Sequence, residues 1–263
     1  MADLLDRDDV PFEKWLRPLV VCDHPRTRLI CLPHAGGSAS FFGSWARSVP
    51  DGVALLAACY PGREARIAEP FAEAMDDLVT PLAALCARLA DAPLALFGHS
   101  MGASIGYEVA LRLQREYGIV VSGLFVSSRS APGHVRTRAE QPDDAALIDE
   151  LMEMGVTAAE ALLDADMRDL VLPAVRADYR LLRSYDRQGA SEAIEAPIVA
   201  YYGLEDDDVD EQSVAPWAEL TRSQFTQLAM PGGHFYLQND ISALVGDLSR
   251  RLGLPTPAGT AAG

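Results

Sequence analysis

The chain has 263 residues, 49% of them hydrophobic, and its 22 Lys+Arg against 38 Asp+Glu give a formal net charge of -16 at pH 7. That excess of negative charge opposes binding to nucleic-acid phosphates or to anionic membrane surfaces, so neither is expected as a partner, while the apolar content is enough for a sizeable core. Nowhere do about 18 apolar residues follow one another, and the acidic start lacks the basic-then-apolar pattern of an export signal; a cytoplasmic location is expected.

Leu19 to Cys22 and Leu29 to Leu32 are short apolar runs that predict strands, the second ending in Pro33-His34-Ala35-Gly36-Gly37-Ser38. Phe41, Phe42 and Trp45 at helical spacing predict a helix over Phe41 to Val49. Val53 to Cys59 is again strand-like and closes on Tyr60-Pro61-Gly62-Arg63. Met75 to Ala90 has an amphipathic helical pattern, Leu94 to Phe97 predicts a strand, a helix follows from roughly Met101 to Glu116, and Gly123 to Ser127 is the next strand. Strands alternating with helices of this length predict a largely parallel sheet covered on both faces, an α/β fold.

From about Pro132 to Glu195 the alternation gives way to helical patterns only, which predicts an insertion. Asp143 and Asp144 can cap a helix to about Met154, Thr157-x-x-Glu160 has capping-box spacing, and Leu170 to Tyr185 predicts a third helix with Pro173 near its start or at a kink. The rhythm resumes with strands at Pro197 to Gly203 and Gln224 to Ala229, with helices around Ser213 to Leu220 and from about Leu237 to Leu252. One domain over 1–263 is expected, with the insertion at 132–195 and a disordered tail at 255–263. Cys22, Cys31, Cys59 and Cys86 lie in apolar surroundings without a C-x-x-C pair, which predicts buried reduced thiols and no metal site; no cofactor is expected.

The chemistry centres on Gly98-His99-Ser100-Met101-Gly102, between a predicted strand and a predicted helix. A serine projecting from so tight a corner leaves no room for side chains two residues to either side, and the helix behind it directs N–H groups toward developing negative charge. A serine hydroxyl needs a base to become a nucleophile, and His234, in the loop between the last strand and last helix, has the required place after serine and acid. His24 and His134 read as surface residues, His99 as packing on the sheet or shaping the pocket, and His34 as supporting its loop. The acid comes from Glu205-Asp206-Asp207-Asp208, a run of which one carboxylate need turn inward to hold the imidazole tautomer. The other place where such an acid occurs, after the strand following the elbow helix, reads Ser127-Ser128-Arg129-Ser130. The oxyanion donors are expected to be the backbone N–H groups of Met101 and Ala35, each worth roughly 3 to 4 kcal/mol in comparable sites.

These residues resemble a known family, the external or type II thioesterases that accompany polyketide synthases and nonribosomal peptide synthetases. The resemblance rests on Leu32-Pro-His-Ala-Gly-Gly-Ser38, Tyr60-Pro-Gly-Arg63, Gly98-His-Ser-Met-Gly-Ala103, Ser128-Arg-Ser-Ala-Pro132, Arg176-x-Asp178, Gly203-x-x-Asp206 and Gly232-Gly-His-Phe235, in family order over nearly the whole chain. It implies an α/β-hydrolase fold with a helical lid, a triad of Ser100, Asp206 and His234, and Ala35 and Met101 as oxyanion donors. The activity it implies is hydrolysis of acyl thioesters from the phosphopantetheine arm of an acyl or peptidyl carrier protein, clearing stalled or misprimed synthases. Many relatives have proline after the aspartate where this chain has Asp207, a departure that bears on the register of the acid. The chain opens on its own methionine with no carrier domain ahead of the hydrolase, so a free-standing enzyme is expected.

Within the insertion, Met152, Met154, Leu163 and Met167 are adaptable apolar residues expected to line an acyl chamber. Arg176, Arg180, Arg183 and Arg187 fall along one helix face, a basic stripe expected to meet an acidic carrier protein. The alternative readings are an esterase or lipase acting on free small esters, and a non-catalytic binding protein on a hydrolase fold.

Overall fold

The structure, a computed structural model, describes residues 10–134, 144–153, 164–186 and 192–255. Strands β1 (Leu16–Val20), β2 (Thr27–Leu32), β3 (Val53–Ala58), β4 (Leu94–His99), β5 (Gly123–Ser127), β6 (Ile198–Gly203) and β7 (Phe225–Met230) form one seven-stranded sheet ordered β1-β3-β2-β4-β5-β6-β7. β1 pairs antiparallel with β3, and the other neighbours run parallel. The helices are α1 (Phe12–Trp15), α2 (Met75–Arg88), α3 (Met101–Arg112), α4 (Asp144–Glu153), α5 (Ala165–Asp186), α6 (Glu211–Val214) and α7 (Ile241–Arg251).

Strands buried on both faces read as continuous apolar runs, and successive side chains supply opposite cores. Ile30, Leu32, Leu94, Leu96, Leu124 and Val126 face one side, with Leu82 and Leu85 of α2 and Ile105 and Val109 of α3. Leu29, Cys31, Ala95, Phe97 and Phe125 face the other, with Phe42, Trp45 and Leu244, Val245 and Leu248 of α7. All four cysteines are free; Cys31 and Cys86 are buried, whereas Cys22 and Cys59 are only partly so.

Several elements differ from the sequence expectation, among them the helix expected around Ser213 to Leu220, which is the four-residue α6 followed by a 3-10 helix, Ala215–Leu220. The first strand lies at Leu16–Val20 and not at Leu19 to Cys22, because β1 is an edge strand, where Pro18 is tolerated, and Val21 has already left the sheet for solvent. The segment expected as a helix over Phe41 to Val49 is a 3-10 helix, Ala39–Arg47, whose buried residues Ala39, Phe42 and Trp45 recur every third position and so share one face of a three-residue turn. The helix expected from Leu170 begins at Ala165 and contains Pro173 in its interior.

Between β5 and β6 the described residues hold α4 and α5 and no strand element. Leu147, Ile148 and Leu151 of α4 pack on Leu172 and Val175 of α5 in a small cluster of their own, while Leu181 and Leu182 join the main core. The expected capping box at Thr157 to Glu160 and the tail beyond Pro255 lie outside the described residues. Among the described residues, no helix is long and apolar enough to cross a membrane.

Candidate active site

Ser100 sits at the corner between β4 and α3, at the C-terminal end of the central strands. Its backbone holds φ 52 and ψ -116, a conformation that costs on the order of 1–3 kcal/mol and persists only where the surroundings enforce it. Those surroundings are backbone: a Cβ on Gly98 would collide with the Gly102 carbonyl, and one on Gly102 with the Leu32 carbonyl. The Ser100 N–H donates to the Ser127 carbonyl at 2.8 Å, and the Ala103 N–H to the Ser100 carbonyl at 2.9 Å. Met101 is the first residue of α3, so its N–H is among those a helix leaves unsatisfied beside the serine.

Asp206 lies in the loop after β6. Its Oδ1 accepts the N–H groups of Asp208 at 3.1 Å and Val209 at 3.2 Å, and its Oδ2 is 2.9 Å from His234 Nδ1. The Asp206 side chain is 2% exposed, whereas Asp207 and Asp208 face solvent. A carboxylate on Nδ1 retains a proton there and leaves Nε2 as the basic nitrogen. The backbone carbonyl of His234 accepts from Ser128 Oγ at 2.9 Å. Ser128 holds φ 45 and donates its N–H to the Tyr201 carbonyl at 2.9 Å. The alternative acid position is therefore filled by a strained serine that braces the histidine loop, a role no sequence signal announced.

His99 and His34 are buried beside His234. His99 Nδ1 is 2.9 Å from Ser127 Oγ, which lies 2.7 Å from the Tyr236 hydroxyl, and the His99 ring centroid is 5.3 Å from that of His234. His34 packs edge-on against Phe41 and Phe235. Burial first, then the neighbouring His234, holds His99 well below the usual histidine range and His34 down at about 3. Both stay neutral near pH 7 and add no positive charge next to an imidazolium.

Neutral burial carries a stability consequence. Unfolded, His34 takes up its proton below its usual 6.5; folded, it does not until about 3, so the unfolded state binds more protons throughout that window and stability falls as pH drops through it. From His34 alone the expected loss between pH 8 and pH 5 is about 2 kcal/mol. Urea unfolding of the parent and of His34→Asn at both pH values checks this: the variant should show the smaller difference, and equal differences would refute it.

The loop of Ala35, Gly36 and Gly37 follows Leu32 and Pro33, whose carbonyls lie against Gly102 two residues after Ser100. The Gly37 N–H donates to the His34 carbonyl at 2.9 Å and the Gly36 N–H to Asp178 Oδ2 on α5 at 2.7 Å. Arg63 grips the same carboxylate with both ends of its guanidinium, Nη1 to Oδ2 at 2.6 Å and Nη2 to Oδ1 at 2.8 Å. Removing one partner from such a buried pair costs about 3–5 kcal/mol in comparable sites, because the other charge is left uncompensated. Arg63 and Asp178 stand in the motifs Tyr60-Pro-Gly-Arg63 and Arg176-x-Asp178, and neither motif by itself assigns them a role. A signal was present: Asp178 interrupts the apolar stripe Val171, Val175 and Leu182 of its helix.

Of the residues expected to line an acyl chamber, Met152 on α4 and Met167 on α5 are each 40% exposed, and Met154 and Leu163 lie outside the described residues. In the basic stripe, Arg176 pairs with Asp144 of α4, Arg180 is exposed, Arg183 is half-buried, and Arg187 lies outside the described residues. Among the described residues there is no group of three or more His, Cys, Asp or Glu that could hold a metal ion.

A mostly parallel sheet with a strand-serine-helix corner at its centre defines the α/β-hydrolase class. The thioesterase domain model matches residues 27–252, and the chain belongs to the thioesterase family; it is a hydrolase of thioesters. It is 35% identical over 240 residues to thioesterase PikA5 of Streptomyces venezuelae, covering 90% of this chain and 85% of that one. To the gramicidin S biosynthesis protein GrsT of Aneurinibacillus migulanus it is 33% identical over 244 residues, covering 92% and 94%. The solved structure of the type II thioesterase BorB from the borrelidin biosynthetic cluster superposes with a TM-score of 0.80 at 36% identity, covering 90% of this chain and 97% of that one.

Proposed function

We propose that this thioesterase removes acyl groups from the phosphopantetheine arm of an acyl or peptidyl carrier protein, with Ser100 as nucleophile, His234 as base and Asp206 fixing the imidazole. The observation that carries the reading is the 2.9 Å contact of Asp206 with His234, made from two loops at the same sheet end as the Ser100 corner. Relatives named for gramicidin S and borrelidin biosynthesis support the link to carrier-bound intermediates.

Ser100 Oγ attacks the thioester carbonyl as its proton passes to His234 Nε2. The tetrahedral oxyanion rests on the N–H groups of Met101 and Ala35; in the loop, those of Gly36 and Gly37 are already committed. Collapse breaks the C–S bond, and the phosphopantetheine thiol leaves with that proton. A thiol, with a pKa of about 8.5, is a better leaving group than an alcohol or amine and needs less acid assistance. Water, deprotonated by His234, then attacks the acyl-Ser100 ester and releases the carboxylic acid.

The segment 132–195 serves as the lid. Met152 and Met167 offer adaptable apolar surface to the acyl group, and Arg180 and Arg183 meet the acidic carrier; Met154, Leu163 and Arg187 lie outside the described residues. Four free cysteines suit a reducing cytoplasm. One experiment covers both chemistry and docking: release of an acyl group from acyl-phosphopantetheinyl carrier protein, against hydrolysis of a soluble oxygen ester of the same group, at low salt. The carrier-bound thioester should be turned over faster, and the double variant Arg180→Glu, Arg183→Glu should lose activity on the carrier alone. Faster turnover of the free ester would favour an esterase, and an unaffected double variant would remove the docking stripe.

A further inference from the structure

We infer that Asp178, together with Arg63, is a positioning residue for the oxyanion hole, and that the hole is complete only when α5 is seated on the loop bearing Ala35. The inference rests on the assignment of Ala35 and Met101 as oxyanion donors.

Three donors converge on one carboxylate: the Gly36 N–H at 2.7 Å and the two Arg63 nitrogens at 2.6 and 2.8 Å. Arg63 Nη1 also donates to the Gly37 carbonyl at 3.1 Å, so the arginine holds both the carboxylate and the loop that the carboxylate holds. The Tyr60 hydroxyl anchors the start of the loop through the Pro33 carbonyl at 3.3 Å. Asp178 is 3% exposed and Arg63 8%, so water does not compete for these bonds.

One turn before Asp178, Val175 lies against Gly36 so closely that any Cβ there would strike its methyl group, and Gly36 holds φ +75, a conformation glycine adopts without penalty. Val175 and Asp178 are three residues apart, hence on one helix face, and both bear on the same glycine. Without them a Gly-Gly loop has many conformations of similar energy, whereas an oxyanion donor is useful only when held within about 0.5 Å of its place. Apolar side chains would pack α5 on the loop equally well, because a buried ion pair is a poor source of stability. What the carboxylate adds is direction: it fixes which way the Ala35–Gly36 peptide plane faces, and the Ala35 N–H lies in the plane just before it, whose His34 carbonyl accepts from the Gly37 N–H.

The variant Asp178→Asn keeps the shape but exchanges one acceptor oxygen for a donor. With its N–H in the Oδ1 place it opposes Arg63 Nη2, and with its N–H in the Oδ2 place it opposes both Gly36 and Arg63 Nη1, so either orientation breaks the three-donor clamp. Expected is a fall in kcat of about 100-fold on a small acyl thioester with KM nearly unchanged. The inhibition constant of a trifluoromethyl ketone of the same acyl chain, which forms a tetrahedral oxyanion on Ser100, should rise by the same factor. Affinity for the unreactive thioether analogue should not move; a merely structural role would shift both ligands or neither. Arg63→Lys, which keeps the charge and loses the fork, is the second variant and should show the same parallel change if Asp178→Asn does not fold. Folded variants with the parent's kcat and ketone affinity, or a fall in kcat with ketone affinity unmoved, would overturn the inference. A parent enzyme that neither cleaves the thioester nor binds the ketone would instead overturn the functional reading beneath it.

Discussion

Ser100→Ala should abolish release of acyl groups from the carrier protein, with turnover falling by a factor on the order of 10⁶. Alanine keeps the Cβ and is subject to the same backbone enforcement by Gly98, Gly102 and Ser127, so the corner should survive while the attacking oxygen is lost. What remains is direct attack by water on a bound thioester polarised by the oxyanion donors, about 10³–10⁴ above the reaction in water. Mass spectrometry of the acyl-carrier protein after long incubation is the measurement, with the melting temperature as control. A well-folded variant retaining more than about one per cent of the parent rate would place the nucleophile elsewhere and remove the acyl-enzyme mechanism.

Asp206→Asn should lower kcat by about 10⁴-fold, whereas Asp207→Asn and Asp208→Asn should stay within about twofold of the parent. The carboxylate at 206 meets His234 Nδ1 at 2.9 Å as a pure acceptor, while the amide of asparagine offers either a donor or an acceptor to that nitrogen. With the donor facing it, the ring proton moves to Nε2, and the lone pair that should take the Ser100 proton points the wrong way. Asp207 and Asp208 face solvent and neither makes the contact with His234, so their amides leave the carboxylate on the imidazole in place. Steady-state kinetics on one thioester with all three variants tests this directly: an Asp207→Asn enzyme as impaired as Asp206→Asn would shift the acid by one position.

Much of the site was legible in the sequence because its stereochemistry is local. A serine flanked by glycines at both second neighbours, after an apolar strand and before a helix, encodes its own corner, and the strand cores follow from alternation over five or six residues. Spacing also marked His234 and the acidic loop, since both follow strands at the end of the sheet where the loops meet. The 3-10 helix at Ala39–Arg47 was harder, because three aromatic residues at helical spacing do not separate a three-residue turn from a 3.6-residue one until it is clear which of them the sheet buries.

By itself the sequence determined the α/β order, the serine corner, and the placing of the candidate histidine and of the short acidic run in loops that follow strands, all of them properties of neighbours along the chain. Only the tertiary structure decided which of three adjacent aspartates turns inward: Asp206, Asp207 and Asp208 are the same chemical group, and what distinguishes them is the backbone N–H groups and the imidazole brought within reach by folding. The same holds for Arg63 and Asp178, 115 residues apart. Their charges can be read from the sequence, but a buried pair exists only where packing removes both from water and points one at the other.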